Sequence, residues 1–232
     1  MSAKASSGKR KPASRAVGRP RAGAAPSSAD PKADIVAAAA RLFRAKGIAG
    51  ASVREIAAEA GLQKASLYYY FPSKDEIVHA MIEGVLAPAL AMQRKLARAE
   101  LSEAARLWLY LCFDVEQLCA APYDCTWLLA HGSLDDARMA TYWRQREKLL
   151  GWLAARLKGG MAAGEFAPCD AATVARAMLA ATEYSVTWAE RHDRARIAAT
   201  AGEVATLLTR GVLAGERRID AVKAEAAGFP RS

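Results

Sequence analysis

Apolar side chains recur at steps of three and four along most of this chain. No run alternates by two, so the pattern predicts an all-α fold. The first periodic stripe is Ile35, Ala39, Leu42 and Phe43. Asp30 is a good N-cap for it, Pro31 suits the first helical position, and Lys46-Gly47 should end it. Two serines, Ser52 and Ser73, each precede a glutamate by three residues, Glu55 and Glu76. That spacing predicts two capping boxes, hence two helix starts. Between them Gly61 should end the first of these helices in a left-handed conformation. A short helix, about 63–70, then fits before Pro72, which disfavours helical geometry at Phe71. The helix starting at Ser73 is predicted to kink or stop near Pro88, with Gly84 weakening it further.

Beyond Pro88 the periodicity continues. Residues 102–121 place Leu107, Trp108, Leu111, Val115 and Leu118 on one side, and Pro122 should break that helix. A short helix over 124–131 carries Trp127 and Leu128. A long one over 135–163 carries Met139, Tyr142, Trp143, Leu149, Leu150, Leu153 and Leu157. Gly164 to Pro168 reads as a turn, and Asp170 can cap a helix over 171–191. The last main helix spans about 195–215. Val174, Met178, Ala181, Ser185 and Trp188 form one stripe of these two helices; Ile197, Ala201, Val204, Leu208 and Gly211 form the other.

Charge sharpens the organisation. Residues 1–75 carry 14 Lys and Arg against 5 Asp and Glu, whereas residues 76–232 carry 19 of each. The whole excess of +9 therefore sits at one end, the footprint of a segment that meets a polyanion. Residues 1–29 are rich in Ser, Ala, Gly, Pro, Lys and Arg, too poor in apolar side chains to offset chain entropy, and are expected to be disordered. Within them Gly18-Arg19-Pro20-Arg21 resembles the core of an AT-hook, which lies in A·T-rich minor grooves. A solvated basic tail adding non-specific attraction is the other reading. The expected division is a basic tail over 1–29, a head over 30–76, a larger helical body over 77–216 and a C-terminal tail over 217–232.

The chemistry of catalysis is thin. Cys112, Cys119, Cys125 and Cys169 form no C-x-x-C pair and have no histidine at metal-ligand spacing, so neither a metal nor a cofactor is expected. Cys125 and His131 lie near Asp124 and Asp135, but nothing makes them meet as nucleophile and base. His131-Gly132-Ser133 is not a nucleophile elbow, and there is no phosphate loop or H-E-x-x-H. No apolar run approaches the roughly 18 residues that span a bilayer. No signal peptide is evident, so a cytoplasmic location with reduced thiols is expected.

The helix-turn-helix spacing of residues 52–74 suits a unit that reads DNA. Val53, Ile56, Ala57, Leu62 and Leu67 close its small core. That leaves Lys64, Ala65, Ser66, Tyr68 and Tyr69 facing out, where a cation, hydroxyls and a small gap can meet phosphates and base edges. The runs IVAAAARLFRAKG (35–47), SVREIAAEAG (52–61) and LYYYFPSKDEI (67–77) together resemble the DNA-binding domain of TetR-family transcriptional regulators. The resemblance covers about a fifth of the chain; family regulators often carry glycine where Ala65 stands and histidine where Tyr69 stands.

The resemblance implies a ligand-responsive repressor of double-stranded DNA, working as a homodimer, with a three-helix head and a larger ligand-binding and dimerisation body. The contacts it implies are Gln63, Lys64, Ala65 and Ser66 at or near base edges and Tyr68 and Tyr69 on phosphates. Ser52, Arg54 and Lys74 would clamp the backbone from helix N-termini. It implies pairing of the last two long helices with their symmetry mates, and a small-molecule cavity among Trp108, Cys112, Phe113, Trp127, Tyr142, Trp143 and Tyr184. Packing in the chain's own core is the alternative for each of these aromatics. Glu183, between apolar neighbours, could pair with a ligand cation or an arginine. An architectural DNA binder without an effector, and an all-α enzyme, are the competing function classes.

Overall fold

The computed structural model describes residues 30–121, 140–189, 193–215 and 218–230; the basic tail, the 124–131 helix, Cys125, Trp127 and His131 lie outside them. Nine helices occur among the described residues, α1 (Pro31–Gly50), α2 (Val53–Glu59), α3 (Lys64–Tyr70), α4 (Lys74–Ala97), α5 (Glu103–Ala120), α6 (Ala140–Ala162), α7 (Ala171–Ser185), α8 (Arg194–Arg210) and α9 (Ile219–Ala227). A lone bridge between Phe166 and Leu213 is the nearest approach to a strand there.

The head follows its local signals closely. Asp30 accepts from Lys32 N, and Gly47, at φ 71°, breaks α1 where Lys46-Gly47 is predicted to end it. Ser52 and Glu55 form the complete capping box. At the other end of α2, Leu62 N donates to Ala57 O (2.8 Å) and Gly61 N to Ala58 O (3.0 Å), with Gly61 at φ 66°. This paired closure satisfies the last carbonyls and fixes the turn into α3. Ile35, Phe43, Ile56, Ala57 and Leu67 are buried together, so α2 and α3 are locked onto α1.

The helix start at Ser73 falls as expected, but three helix ends differ from the sequence expectation, each for a physical reason. At Ser73 the serine half of the box is formed, Glu76 N donating to Ser73 Oγ at 3.2 Å. α4 does not stop at Pro88 but runs on to Ala97. Val85, Leu86, Ala89, Met92 and Leu96 are all buried, and their burial outweighs the roughly 3 kcal/mol that an interior proline costs. α7 ends at Ser185, six residues early, where Thr187 N and Oγ1 both donate to Tyr184 O and close the last turn. α8 ends at Arg210, because Ala167 N donates to Val212 O and Ala214 N to Glu165 O, drawing 212–214 off the helix axis. The C-terminal segment, read only as a tail, carries α9, whose Ile219, Val222 and Ala226 are buried against the body.

α5 is the axle of the body. It packs on α4, α6, α7, α8 and α9, and side chains on all of its sides are buried, as expected of a central helix. Its first turn is capped from a distance. Glu225 of α9 accepts from Ser102 N (2.6 Å) and Ser102 Oγ (2.7 Å), and Glu165 accepts from Ala104 N (2.9 Å). Carboxylates at a helix N-terminus satisfy orphan N–H groups and favour the dipole. α4 joins head to body, since its first turn touches α1 and its later turns pack on α5 and α6.

Candidate nucleic-acid interface and ligand cavity

α3 turns one edge inward and one outward. Leu67 is fully buried and Tyr70 half-buried, while Gln63, Lys64 and Ala65 are exposed and Ser66 is half-buried. Tyr69 is 73% exposed and Tyr68 42%, the largest apolar surfaces the head leaves in solvent. Their exposure is the predicted one, and folding alone gives no reason for it. Lys64 Nζ stands 5.7 Å above the Tyr68 ring, and Tyr69 meets Tyr70 edge-on at 5.2 Å. The outer edge of α3 thus presents an ammonium, an amide, a methyl and two phenols side by side.

The flanking residues divide into contact candidates and struts. Arg54 is exposed on the first turn of α2. Ser52 is committed to capping, its N–H and Oγ both on Glu55 Oε2 at 2.8 Å. Glu55 is held at a pKa of about 2, first by the hydrogen bond from Lys46 and then by the Ser52 backbone. Lys74 departs most from expectation. Its Nζ donates to Ile48 O (2.6 Å) and Ala51 O (3.0 Å), so the ammonium points back into the head and not out to a duplex.

A small hollow, open to solvent on one side, lies between α4, α5, α6 and α7. Its apolar wall is Val85, Leu86, Ala89, Leu118, Leu149 and Leu179; its polar groups are Asp114, Gln117, Tyr142 and Glu183. Asp114 is buried, accepts from Thr182 Oγ1 at 2.6 Å, and its pKa is pushed up to about 7, chiefly by burial. Glu183 meets Arg146 bidentately at 2.8 and 2.7 Å.

Of the sequence candidates among the described residues, Tyr142 alone reaches this wall. Trp108 is core, its Nε1 donating to Thr206 Oγ1 at 3.1 Å. Cys112 is buried and Phe113 and Trp143 are half-buried against the core. Tyr184 faces away, 62% exposed. Aromatic size marked burial, not the cavity. The missed residue, Asp114, had a visible signal in the sequence, a lone acid among Leu111, Val115 and Leu118 on the most apolar helix.

Tyr184 and Trp188 of the α7 end and Leu207 of α8 are 62%, 57% and 72% exposed. Ser185 and Ala201 of the predicted stripes are fully buried within the chain. Trp188 and Gly211 of the predicted stripes face outward, with Tyr184 and Leu207 beside them.

The described residues thus form a helix-turn-helix head carried by a larger helical body. Residues 35–81 match the family model described as bacterial regulatory proteins, tetR family. The chain is 38% identical over 71 residues to the HTH-type transcriptional regulator EthR of Mycolicibacterium smegmatis, covering 31% of this chain and 33% of that protein. It therefore spans about a third of the length of the first curated relatives it matches. Its fold resembles that of the ketosteroid transcriptional regulator KstR2 of Mycobacterium tuberculosis, with TM-score 0.69, 20% identity and coverage of 82% and 99% of the two chains. It also resembles AibR, solved with isovaleryl coenzyme A and operator DNA, with TM-score 0.59, 20% identity and coverage of 75% and 97%. Residues 35–81, about a fifth of the chain, thus carry a head of the kind that the tetR family model describes. No helix among the described residues is long and apolar enough to cross a membrane.

Proposed function

We propose that this chain is a cytoplasmic, ligand-responsive repressor that binds a palindromic operator as a homodimer and is released by a small molecule. The observation that carries the reading is the exposed outer edge of α3, Lys64, Ala65, Tyr68 and Tyr69, on a head whose turn is locked at both ends. In this reading residues 30–76 read DNA and 77–216 bind effector and partner copy. Two α3 helices enter successive major grooves, with centres about 34–36 Å apart. Lys64, Gln63 and Ser66 meet base edges or adjacent phosphates, Tyr68 and Tyr69 position on phosphates, and Arg54 clamps the backbone. The capping box makes Ser52 a support for Arg54, and Lys74 a strut. The partner copy covers Tyr184, Trp188 and Leu207, apolar surface that a lone chain leaves wet. The relatives named above are regulators, and the reading assigns no catalytic step.

α4 is the lever. Its first turn is tied to the head through Lys74, and Val85, Leu86 and Ala89 three turns later form the cavity wall. A ligand that favours one setting of α4 shifts the spacing of the two heads. A coupling of about 1–3 kcal/mol changes operator affinity 5–150-fold.

The test is binding of fluorescent duplexes enriched from a random pool. Lys64→Ala and Tyr69→Ala should each weaken the enriched duplex by about tenfold or more, with unchanged helical content and melting temperature. Wild-type affinity in both variants would refute the assignment of α3.

A further inference from the structure

The polar end of the cavity carries an unbalanced acid. Glu183 is neutralised by the two hydrogen bonds from Arg146. Asp114, across the same space, is held by neutral donors, with Thr182 Oγ1 at 2.6 Å on one oxygen and Gln117 Nε2 at 3.5 Å on the other. Among the described residues the charged and titratable groups around Asp114 are Glu183 of α7, Arg146 and Tyr142 of α6, and Tyr110 of α5 itself. α4 turns only Val85, Leu86 and Ala89 to the space. Among the described residues the guanidinium nearby, Arg146, is committed to Glu183, and that neighbouring carboxylate, after burial itself, helps push Asp114 toward neutrality. A buried carboxylate without a cationic partner is costly, and its carboxyl still has lone pairs to offer.

Resting on the reading of this space as the effector site, we infer that the effector is an apolar molecule bearing one protonated basic nitrogen, seated with that nitrogen against Asp114. Its apolar body lies on Val85, Leu86, Ala89, Leu149 and Leu179, and its N–H groups donate to Asp114 and Glu183. An anion would meet two carboxyl groups and find the arginine already paired. A neutral ligand would bring no charge to stabilise the ionised form of Asp114. The proton balance follows. An ammonium binds the ionised form, so where Asp114 is protonated its proton passes to solvent as the ligand enters, and affinity falls as pH falls through about 7.

The experiment is isothermal titration of the full-length chain with phenethylamine, phenethyl alcohol and phenylacetate, three probes of similar body and different charge. At about pH 8 the amine should bind about tenfold or more tighter than the alcohol, with phenylacetate weakest. Between about pH 7 and pH 6 the amine affinity should drop toward tenfold, with proton release seen as a dependence on buffer ionisation heat; the alcohol should show neither. Asp114→Asn should erase both the preference and the pH dependence. The wild-type pH series decides the matter without the variant if the variant fails to fold. Equal or tighter binding of the alcohol or phenylacetate overturns the inference. So does a flat pH profile for the amine, or binding of none of the three at millimolar concentration. Sequence-selective DNA binding with the amine silent sinks the ligand class alone; amine binding without such DNA binding sinks the regulator reading alone.

Discussion

Lys74 offers the sharpest division between holding the head together and holding DNA. A cation at the first turn of α4 faces the positive end of a helix dipole, which costs about 0.3–1 kcal/mol. The structure shows what offsets it, two charge-assisted hydrogen bonds to the carbonyls of Ile48 and Ala51, residues that are themselves 4% and 2% exposed. Such bonds are worth about 1.5–3 kcal/mol each. Lys74→Met keeps most of the stem, removes the donors and leaves two carbonyls short of partners. Allowing for partial exposure and the relieved dipole repulsion, the net loss should be about 2–4 kcal/mol, a large part of a typical stability of 5–15 kcal/mol. Urea denaturation followed by circular dichroism measures it. The paired measurement is the salt dependence of DNA binding. Each lost phosphate contact lowers the slope by about 0.9, so Arg54→Met should lose about one unit and keep its stability. Lys74→Met should lose stability and keep the slope. A Lys74→Met chain as stable as wild type, with the slope lowered by about one, would return Lys74 to the phosphate backbone and refute the strut.

Two further outcomes follow from the body. A Cβ on Gly160 of α6 would overlap the ring of Phe166, which is 2% exposed and whose N–H is bonded to Gly160 O at 3.2 Å. Gly160→Ala should therefore lower the melting temperature, the overpacking cost of about 1–3 kcal/mol exceeding the roughly 1 kcal/mol gained in helix propensity, and Phe166→Leu should partly restore it; a stabilised single variant would count against this packing. Asp114 holds its proton longer when folded than when unfolded, from 3.8 to about 7, so its contribution falls as pH rises through that window and is flat above it. The total is up to about 4 kcal/mol. Stability of wild type minus that of Asp114→Asn, measured by urea at steps between about pH 4 and pH 8, should decline by that order, and a constant difference would contradict it.

The head was legible because its signals are local. Ser52 with Glu55, Gly61 and the outward Lys64, Tyr68 and Tyr69 each act within a few residues, and each sits as expected. The ties of Lys74 were not legible because its partners, Ile48 and Ala51, are distant in sequence, and an ammonium at a helix start looks alike whether it points in or out. The same limit governed the body. Helical spacing announces a buried face without saying which neighbour covers it, so Trp108 and Cys112 resembled cavity residues and are core. Asp114, Gln117 and Glu183 came together from two helices. Pro88 failed as a stop because a local cost was outweighed by burial on both sides of it. The closures at Glu165 and Glu225 depend on contacts that no window of sequence contains.

The central claim is that two copies of the α3 edge, held at a fixed spacing, read one duplex. Selection of the purified chain against random double-stranded oligonucleotides, with the mass of the resulting complex measured in solution, tests it most directly. The account predicts enrichment of an inverted repeat whose half-sites are centred about one helical turn apart, bound by chains in even number. A single chain per duplex with no enriched repeat would contradict it.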